Sequence, residues 1–313
     1  IHSARHHIHV QFYIFMDDAV GRLLRDALID KARQGVKIRL LYDDVGSWKV
    51  KNRFFRDMVK EGIEVYPFGE VKFAALTRRV NYRNHRKLVI VDGQLGYIGG
   101  MNIAERYYKG FSWGGWRDTH IRIEGMAVNA LQTSFFVDWH YASRMLVDEP
   151  VYFPKVERKG DTDMQIVTSY PMGEWKTIMQ GLLQVISQSR RYLYIQTPYF
   201  MPTEPILMAL RNAALAGVDV RIMVPLRGDS LLADLASHSY YKEVMTAGVK
   251  IYQYESGYLH AKMILSDDNF VTIGSTNMDF RSFEQNFEIN AFIYDPDVVD
   301  TMKQIFLADQ QSS

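Results

Sequence analysis

One stretch of this chain occurs twice, and that repetition limits what it can fold into more than any other feature. Residues 84–102 read NHRKLVIVDGQLGYIGGMN and residues 259–277 read LHAKMILSDDNFVTIGSTN. Each copy has His, one residue, Lys, four residues, Asp, six residues, then Gly-x-x-Asn. The matched positions are His85, Lys87, Asp92, Gly99 and Asn102, then His260, Lys262, Asp267, Gly274 and Asn277. A lone His-x-Lys carries no information. Five matched positions at one spacing, with the histidines 175 residues apart, point to a site built from two halves.

The apolar runs after the histidines, residues 88–91 and 263–265, suit buried strands. Residues two apart on a strand share a face, so His85 projects with Lys87 and His260 with Lys262. Asp92 stands an odd number of positions from both partners and precedes Gly93, while Asp267 opens Asp-Asp-Asn. Both read as turn residues at a strand end and therefore as scaffold. The following Gly-x-x-Asn closes a second short strand, where glycine permits close backbone approach. Arg106 and Arg281 each follow their asparagine by four residues. Each half thus offers an imidazole, an ammonium and an amide.

The rest of the chain repeats in step. In the first half, a strand over 9–15 leads to a helix capped by Asp17 or Asp18, with Val20, Leu23, Leu24, Ala27 and Leu28 on one face and Gly35 at its end. A strand over 36–42 follows, then a helix capped by Ser47 with Phe54, Met58 and Val59 on its face, and a strand over 63–68. The second half matches with strands over 192–196, 218–224 and 249–254 and helices ending at Gly217 and Gly248. Each half is a β-α-β-α-β series leading into its motif, an α/β organisation. A helix over about 126–142 and the prolines Pro150 and Pro154 set the division: a first half over 1–150, a connection over 151–162 and a second half over 163–313.

Composition narrows the chemistry. Lys and Arg number 37 against 36 Asp and Glu, a formal charge of +1, so no global basic field marks a nucleic-acid binder and any anion site must be local. The absence of cysteine excludes disulfides and thiolate metal sites. No apolar run reaches the roughly 18 residues of a membrane span, and no signal peptide opens the chain.

The flanks make the pattern specific. QFYIF from Gln11, the two motifs, WRDTHIRIEG from Trp116, QTPYF from Gln196, SYYKEVMTAGVKIYQYESGYLHAK from Ser239 and GSTNMDFRSFEQNFEIN from Gly274 resemble bacterial cardiolipin synthases of the phospholipase D superfamily over nearly the whole chain. One position departs: the serine expected after the motif glycine is Ser275 in the second half but Gly100 in the first, so that hydroxyl cannot be essential on both sides. The resemblance implies two similar α-β-α halves related by a pseudo-twofold, a phospholipase D-like fold with the active site at their interface. It counts His85, Lys87, Asp92, His260, Lys262 and Asp267 as the catalytic motifs, with Gly99, Asn102, Gly274, Ser275 and Asn277 toward the substrate. It also implies an acid downstream of each motif to hold the histidine; Asp118 in WRD and Glu288 in NFE, 33 and 28 residues after their histidines, take that place. A salt bridge to Arg117 or Arg122 is the other reading of Asp118.

A phosphodiester needs charge neutralisation, an in-line nucleophile and an acid for the departing alkoxide. Two histidines and two lysines supply all three, so neither metal nor cofactor is expected. The expected reaction moves a phosphatidyl group from one phosphatidylglycerol to another through a phosphohistidine, releasing glycerol, with His85 as nucleophile by analogy with related lipases. Hydrolysis of phospholipids, cleavage of nucleic acid and inert lipid binding are the competing readings; the neutral charge and the intact motifs oppose the last two. The resemblance further implies a longer protein, anchored in the bacterial cytoplasmic membrane by a segment before Ile1, acting at a membrane surface and without nucleic acid.

Two loops beside the first motif, residues 72–83 (basic with aromatics) and 109–116 (KGFSWGGW), are either ordinary surface or a rim that meets anionic headgroups. His2, His6, His7 and His9 look like a metal cluster, but only His7 and His9 share strand parity and no acid completes a set. His120, His140 and His238 read as structural.

Overall fold

A carboxylate at one strand corner organises each half. In the computed structural model, which describes residues 1–70 and 81–313, Asp92 accepts the backbone N–H groups of Arg5, His6 and His7 at 2.8, 2.8 and 2.9 Å. Asp267 accepts those of Arg190, Arg191 and Tyr192 at 2.6, 2.8 and 3.0 Å. Both aspartates have φ of 54°, a left-handed turn conformation that short polar side chains tolerate. They hold the entrance of a half's first parallel strand against the exit of its motif strand.

The first compact unit takes in residues 1–98, 102–107 and 121–161. Its elements are β1 (His7–Phe12), α1 (Ala19–Arg33), β2 (Lys37–Asp43), α2 (Asn52–Lys60), β3 (Glu64–Phe68), β4 (Arg83–Asn84), β5 (Leu88–Val91), β6 (Leu95–Gly99) and α3 (Arg106–Lys109). After β7 (Gly115–Arg117), which belongs to the other unit, come β8 (His120–Glu124) and α4 (Ala127–Ser143). The sheet order is β3-β2-β1-β5-β6-β8, with β1, β2 and β3 parallel and β5 antiparallel to β1.

The second unit holds residues 99–101, 108–120 and 162–313. Its remaining elements are β9 (Met164–Ser169), α5 (Thr177–Gln188), β10 (Tyr192–Gln196), β11 (Phe200–Met201), α6 (Glu204–Leu215), β12 (Asp219–Pro225), α7 (Leu231–Thr246), β13 (Lys250–Tyr254) and β14 (Gly257–Leu259). Then follow β15 (Met263–Ser266), β16 (Phe270–Gly274), β17 (Met278–Asp279), α8 (Phe280–Glu284), β18 (Asn286–Ile293) and α9 (Pro296–Gln310). The order β13-β12-β10-β15-β16-β18 repeats that of the first sheet, with β9 antiparallel on β18. The register repeats too: Gln11 opposes Leu88 as Gln196 opposes Met263. The duplication read from the sequence is thus a duplication of topology.

Parity on β1 explains the N-terminal histidines. Ile8, Val10 and Phe12 enter the core shared with Leu28, Phe54 and Met58. His7, His9 and Gln11 face the opposite side, where His9 stacks on Phe135 of α4 at 4.5 Å and meets Gln132 Oε1 at 3.2 Å. Burial lowers His7 to about 4 and His9 well below its ordinary value, so both are neutral packing groups.

Several expectations need correction. Ser47 does not cap α2: its hydroxyl accepts from Phe15 N at 3.1 Å and donates to the Tyr13 carbonyl at 3.3 Å, while Lys51 stands at the cap. Leu23 and Val59 are 73% and 51% exposed, because only a narrow stripe of each helix meets the sheet. Within the connection over 151–162, Tyr152 is buried against His7, His9 and Phe136. Residues 72–80 of the basic loop lie outside the described residues.

Substituting Asp92 or Asp267 by Asn should act on folding. Each variant is expected to lose about 1–3 kcal/mol in urea melts, the range for breaking a structural hydrogen-bond network, because an amide oxygen replaces two charged acceptors. A variant that melts like the parent yet is inactive would place these carboxylates in the chemistry instead.

Candidate active site

Both motif histidines sit just before their strand rather than within it, on a short extended entrance to β5 or β15. Lys87 donates from Nζ to the carbonyl of His85, and Lys262 does the same to the carbonyl of His260 at 2.6 Å. Each lysine thereby fixes the backbone of its own histidine and keeps a nearly fully buried ammonium beside it.

In the first unit the entrance is held from below by a polar network. Asp138, one acid in the apolar run FFVDW of α4, accepts from Gln11 Nε2 at 2.6 Å, Asn84 Nδ2 at 2.8 Å and Arg86 NH1 at 2.8 Å. Asp43 takes Arg83 Nε and the Asn84 amide. The residues on either side of His85 are therefore anchored by two buried carboxylates, and the Tyr13 ring packs edge-on to the imidazole at 5.1 Å. Neither aspartate is a motif position; Asp138 shows itself as an acid inside an apolar helical run, while Asp43, at the end of β2, carries no such signal. Asn102 accepts from Ile14 N at 3.0 Å and donates to the Tyr107 hydroxyl, so its amide also shapes the chain.

The second unit contains the oriented histidine. Strand β7 pairs in parallel with β14, Trp116 opposite Tyr258 and Arg117 opposite Leu259, and the His260 amide donates to the Arg117 carbonyl at 2.7 Å. This register brings Asp118 Oδ2 to 2.7 Å from His260 Nδ1. The carboxylate also accepts Thr119 N at 2.8 Å and Trp116 Nε1 at 3.3 Å. Asp118 was expected to serve the histidine of its own half; it meets that of the other motif, because the segment carrying it joins the second unit. Its arginine alternatives are also excluded: Arg117 pairs with Asp309 at 2.9 Å and Arg122 with Glu124.

Gly100 explains itself here. A Cβ at that position would lie 2.1 Å from Asp118 Oδ1, so the expected serine does not fit beside this carboxylate. At the matching position Ser275 Oγ donates to Glu288, which is fully buried on β18 and also accepts from Asn286 Nδ2 at 3.2 Å. Gly274 and Gly99 are equally constrained, a Cβ at either falling within 2.4 Å of a backbone carbonyl.

The KGFSWGGW loop, exposed to half-buried along its length, packs its aromatic rings beside this site. Phe111 stacks on Trp113 at 5.0 Å, Trp116 crosses Tyr258 at 4.8 Å, and Trp116 lies 5.0 Å from the His260 ring. Behind the histidine a small cavity is lined by Lys262, Gln196, Thr197, Thr276, Asn277 and Asn290. Asp92 and Asp267 take no part in either constellation, their carboxylates being spent on backbone amides.

Charge follows burial. Burial pushes Asp118 up, but His260 and Lys262 outweigh it and hold the carboxyl below its usual value. Burial lowers Lys262 to about 8 against the opposing pull of Asp118 and Glu288. In protein carrying labelled lysine, one Cε resonance should therefore titrate near pH 8, apart from the exposed lysines. Asp118→Asn should move it lower still, since the largest charge holding the proton is gone; an unmoved resonance would contradict this electrostatic account.

The sequence matches the family model described as cardiolipin synthase, PLD-like domain, over residues 1–113 and 182–310. It is 45% identical over 312 residues to the major cardiolipin synthase ClsA of Bacillus subtilis (strain 168), covering 99% of this chain and 65% of that protein. It is 42% identical over 312 residues to a cardiolipin synthase of Geobacillus kaustophilus (strain HTA426), covering 99% and 62%. The chain thus spans somewhat under two thirds of these relatives. Among solved structures, phosphatidylserine synthase of Haemophilus influenzae Rd KW20 superposes with a TM-score of 0.75 at 15% identity over 99% of this chain and 82% of that one, a likeness of fold. By its duplicated motif, repeated topology and sequence match, the chain belongs to the family of cardiolipin synthase PLD-like domains.

Proposed function

We propose that this chain is a phosphatidyltransferase that makes cardiolipin from two molecules of phosphatidylglycerol, with the two motifs serving one reaction. The observation that carries the proposal is the Asp118–His260 pair beside the buried Lys262. A carboxylate on Nδ1 fixes the imidazole tautomer and leaves Nε2 to move protons, as in a protease triad. In the first step a ring nitrogen of His85 attacks phosphorus, the bond to the glycerol oxygen breaks, and protonated His260 gives its proton to that oxygen. In the second, the glycerol hydroxyl of another phosphatidylglycerol loses its proton to His260 and attacks phosphorus, and the bond to His85 breaks. Lys87 and Lys262 balance the charge on the non-bridging oxygens. Asn277 supplies an amide there.

Relatives named cardiolipin synthase over nearly all of this chain support the substrate class. Among the described residues no helix is long and apolar enough to cross a membrane; the proposed place of action is the surface of the bacterial cytoplasmic membrane, where the lipid is.

Incubation with phosphatidylglycerol vesicles should yield cardiolipin and glycerol in equal amounts, undiminished by a chelator because the lysines already neutralise phosphate. Phosphatidic acid as the main product would make the chain a hydrolase. On the alkaline side the rate should fall as Lys262, at about 8 in the free protein, loses its proton.

The division of labour has its own test. A donor with a good leaving group and a labelled phosphatidyl moiety should leave acid-labile, base-stable label on His260→Asn and none on His85→Asn. Label on the His85 variant would reverse the roles; label on neither folded variant would remove the covalent step.

A further inference from the structure

The same connection in each half, from the end of the second parallel strand into the next helix, ends in exposed apolar side chains beside exposed cations. Between β2 and α2 it carries Trp48, 74% exposed, with Lys49 Nζ 5.7 Å from its ring and Lys51 next along. Between β12 and α7 it carries Leu226 and Arg227, and Leu231, Leu232 and Leu235 open the helix at 74%, 80% and 59% exposure. Single exposed leucines are ordinary. Recurrence at one topological place is not, and this place lies at the carboxyl end of parallel strands, where open α/β sheets take their ligands.

Each connection is also tied to its motif histidine. In the first unit Ser47 holds the Tyr13 and Phe15 backbone, and the Tyr13 ring lies on His85. In the second, Asp229 accepts the Tyr199 hydroxyl at 2.6 Å, the Tyr258 hydroxyl donates to that of Tyr199 at 3.1 Å, and the Tyr258 ring lies 5.7 Å from His260. Acids at these connections accept local donors: Asp43 takes Val45 N and Gly46 N, exposed Asp229 takes the Tyr199 hydroxyl, and Asp234 takes Gly228 N. The exposed cations beside the apolar groups are Lys49, Lys51 and Arg227, against one exposed acid, Asp229, and a half-buried one, Asp44, a balance complementary to an anionic surface.

We propose that these two connections are interfacial anchors that seat the protein on a bilayer containing anionic phospholipid. Trp48 and the leucines enter the headgroup boundary while Lys49, Lys51 and Arg227 meet phosphates. This rests on the reading that the substrate is a phospholipid. The acyl chains of such a substrate stay in the bilayer, so the headgroup must be brought to the histidines, and anchors tied to them set the depth at which it arrives.

The test is cosedimentation with sucrose-loaded vesicles of phosphatidylcholine, alone or in equal parts with phosphatidylglycerol. Trp48→Ala and the pair Leu231→Ala/Leu232→Ala should each weaken partitioning by about tenfold, the effect of withdrawing about two fully buried methylene equivalents. Leu215→Ala, 70% exposed at the end of α6, is the control and should bind as the parent. Lys49→Ala and Arg227→Ala should lose only the part that depends on phosphatidylglycerol, and salt should erase that difference. Product formation from short-chain phosphatidylglycerol below its micellar concentration should be unchanged in all four variants, while formation from vesicles falls. Anchor variants that bind like the parent, or that dissociate an oligomer in light scattering while binding unchanged, would overturn the inference and leave the proposed reaction standing. Anchor-dependent binding with no product from either form of substrate would sink the proposed reaction alone.

Discussion

The carboxylate that gathers three consecutive amides at a strand corner is the constraint on which the molecule turns. Entering β1 or β10, the chain presents three consecutive backbone N–H groups at an exposed to half-buried corner, and each needs a partner. Asp92 and Asp267 supply those partners from the end of the neighbouring antiparallel strand, which locks the two strands in register. Because strand side chains alternate, a slip of one residue would turn the motif strand over. The aspartate of the motif therefore fixes the register of the strand that it ends.

Much of this was legible in the sequence. Period-two parity set the aspartates apart from His85 and Lys87, and the paired glycine stops at Gly35 and Gly217 marked equivalent helix ends, both with positive φ. The readings that failed depended on partners remote along the chain. Ser47 looks like a helix cap because it precedes an amphipathic run; its hydroxyl is drawn instead to the strand-end backbone at Tyr13 and Phe15. Asp118 looks like a companion of His85 because it follows it. Nothing local in WRD reveals that Gly115–Arg117 will pair with Gly257–Leu259, since parallel pairing of two three-residue strands leaves no periodic signature. Repeats disclose which residues matter more readily than which residues meet.

The two acids show how a duplicated frame absorbs divergence. Beside Asp118 the motif glycine is followed by Gly100, whose missing side chain makes room for the carboxylate. Beside Glu288 the same place holds Ser275, which donates to it. Each acid comes with a neighbour of complementary size, so the residue after the motif glycine adjusts to its acid.

The seating of Tyr108–His120 in the second unit also orders events during synthesis. The hydrogen bond that orients His260 joins residues 142 apart in sequence, and domains fold as they emerge, amino-terminal part first. When His85 and its buried network leave the ribosome, Asp118 has also been made, but the strand on which β7 aligns has not. The aromatic segment therefore waits as an unpaired edge until β14 arrives. A truncated product ending between Lys87 and Gly257 would carry the first motif histidine with its lysine and lack both the second histidine and the strand that aligns Asp118 with it.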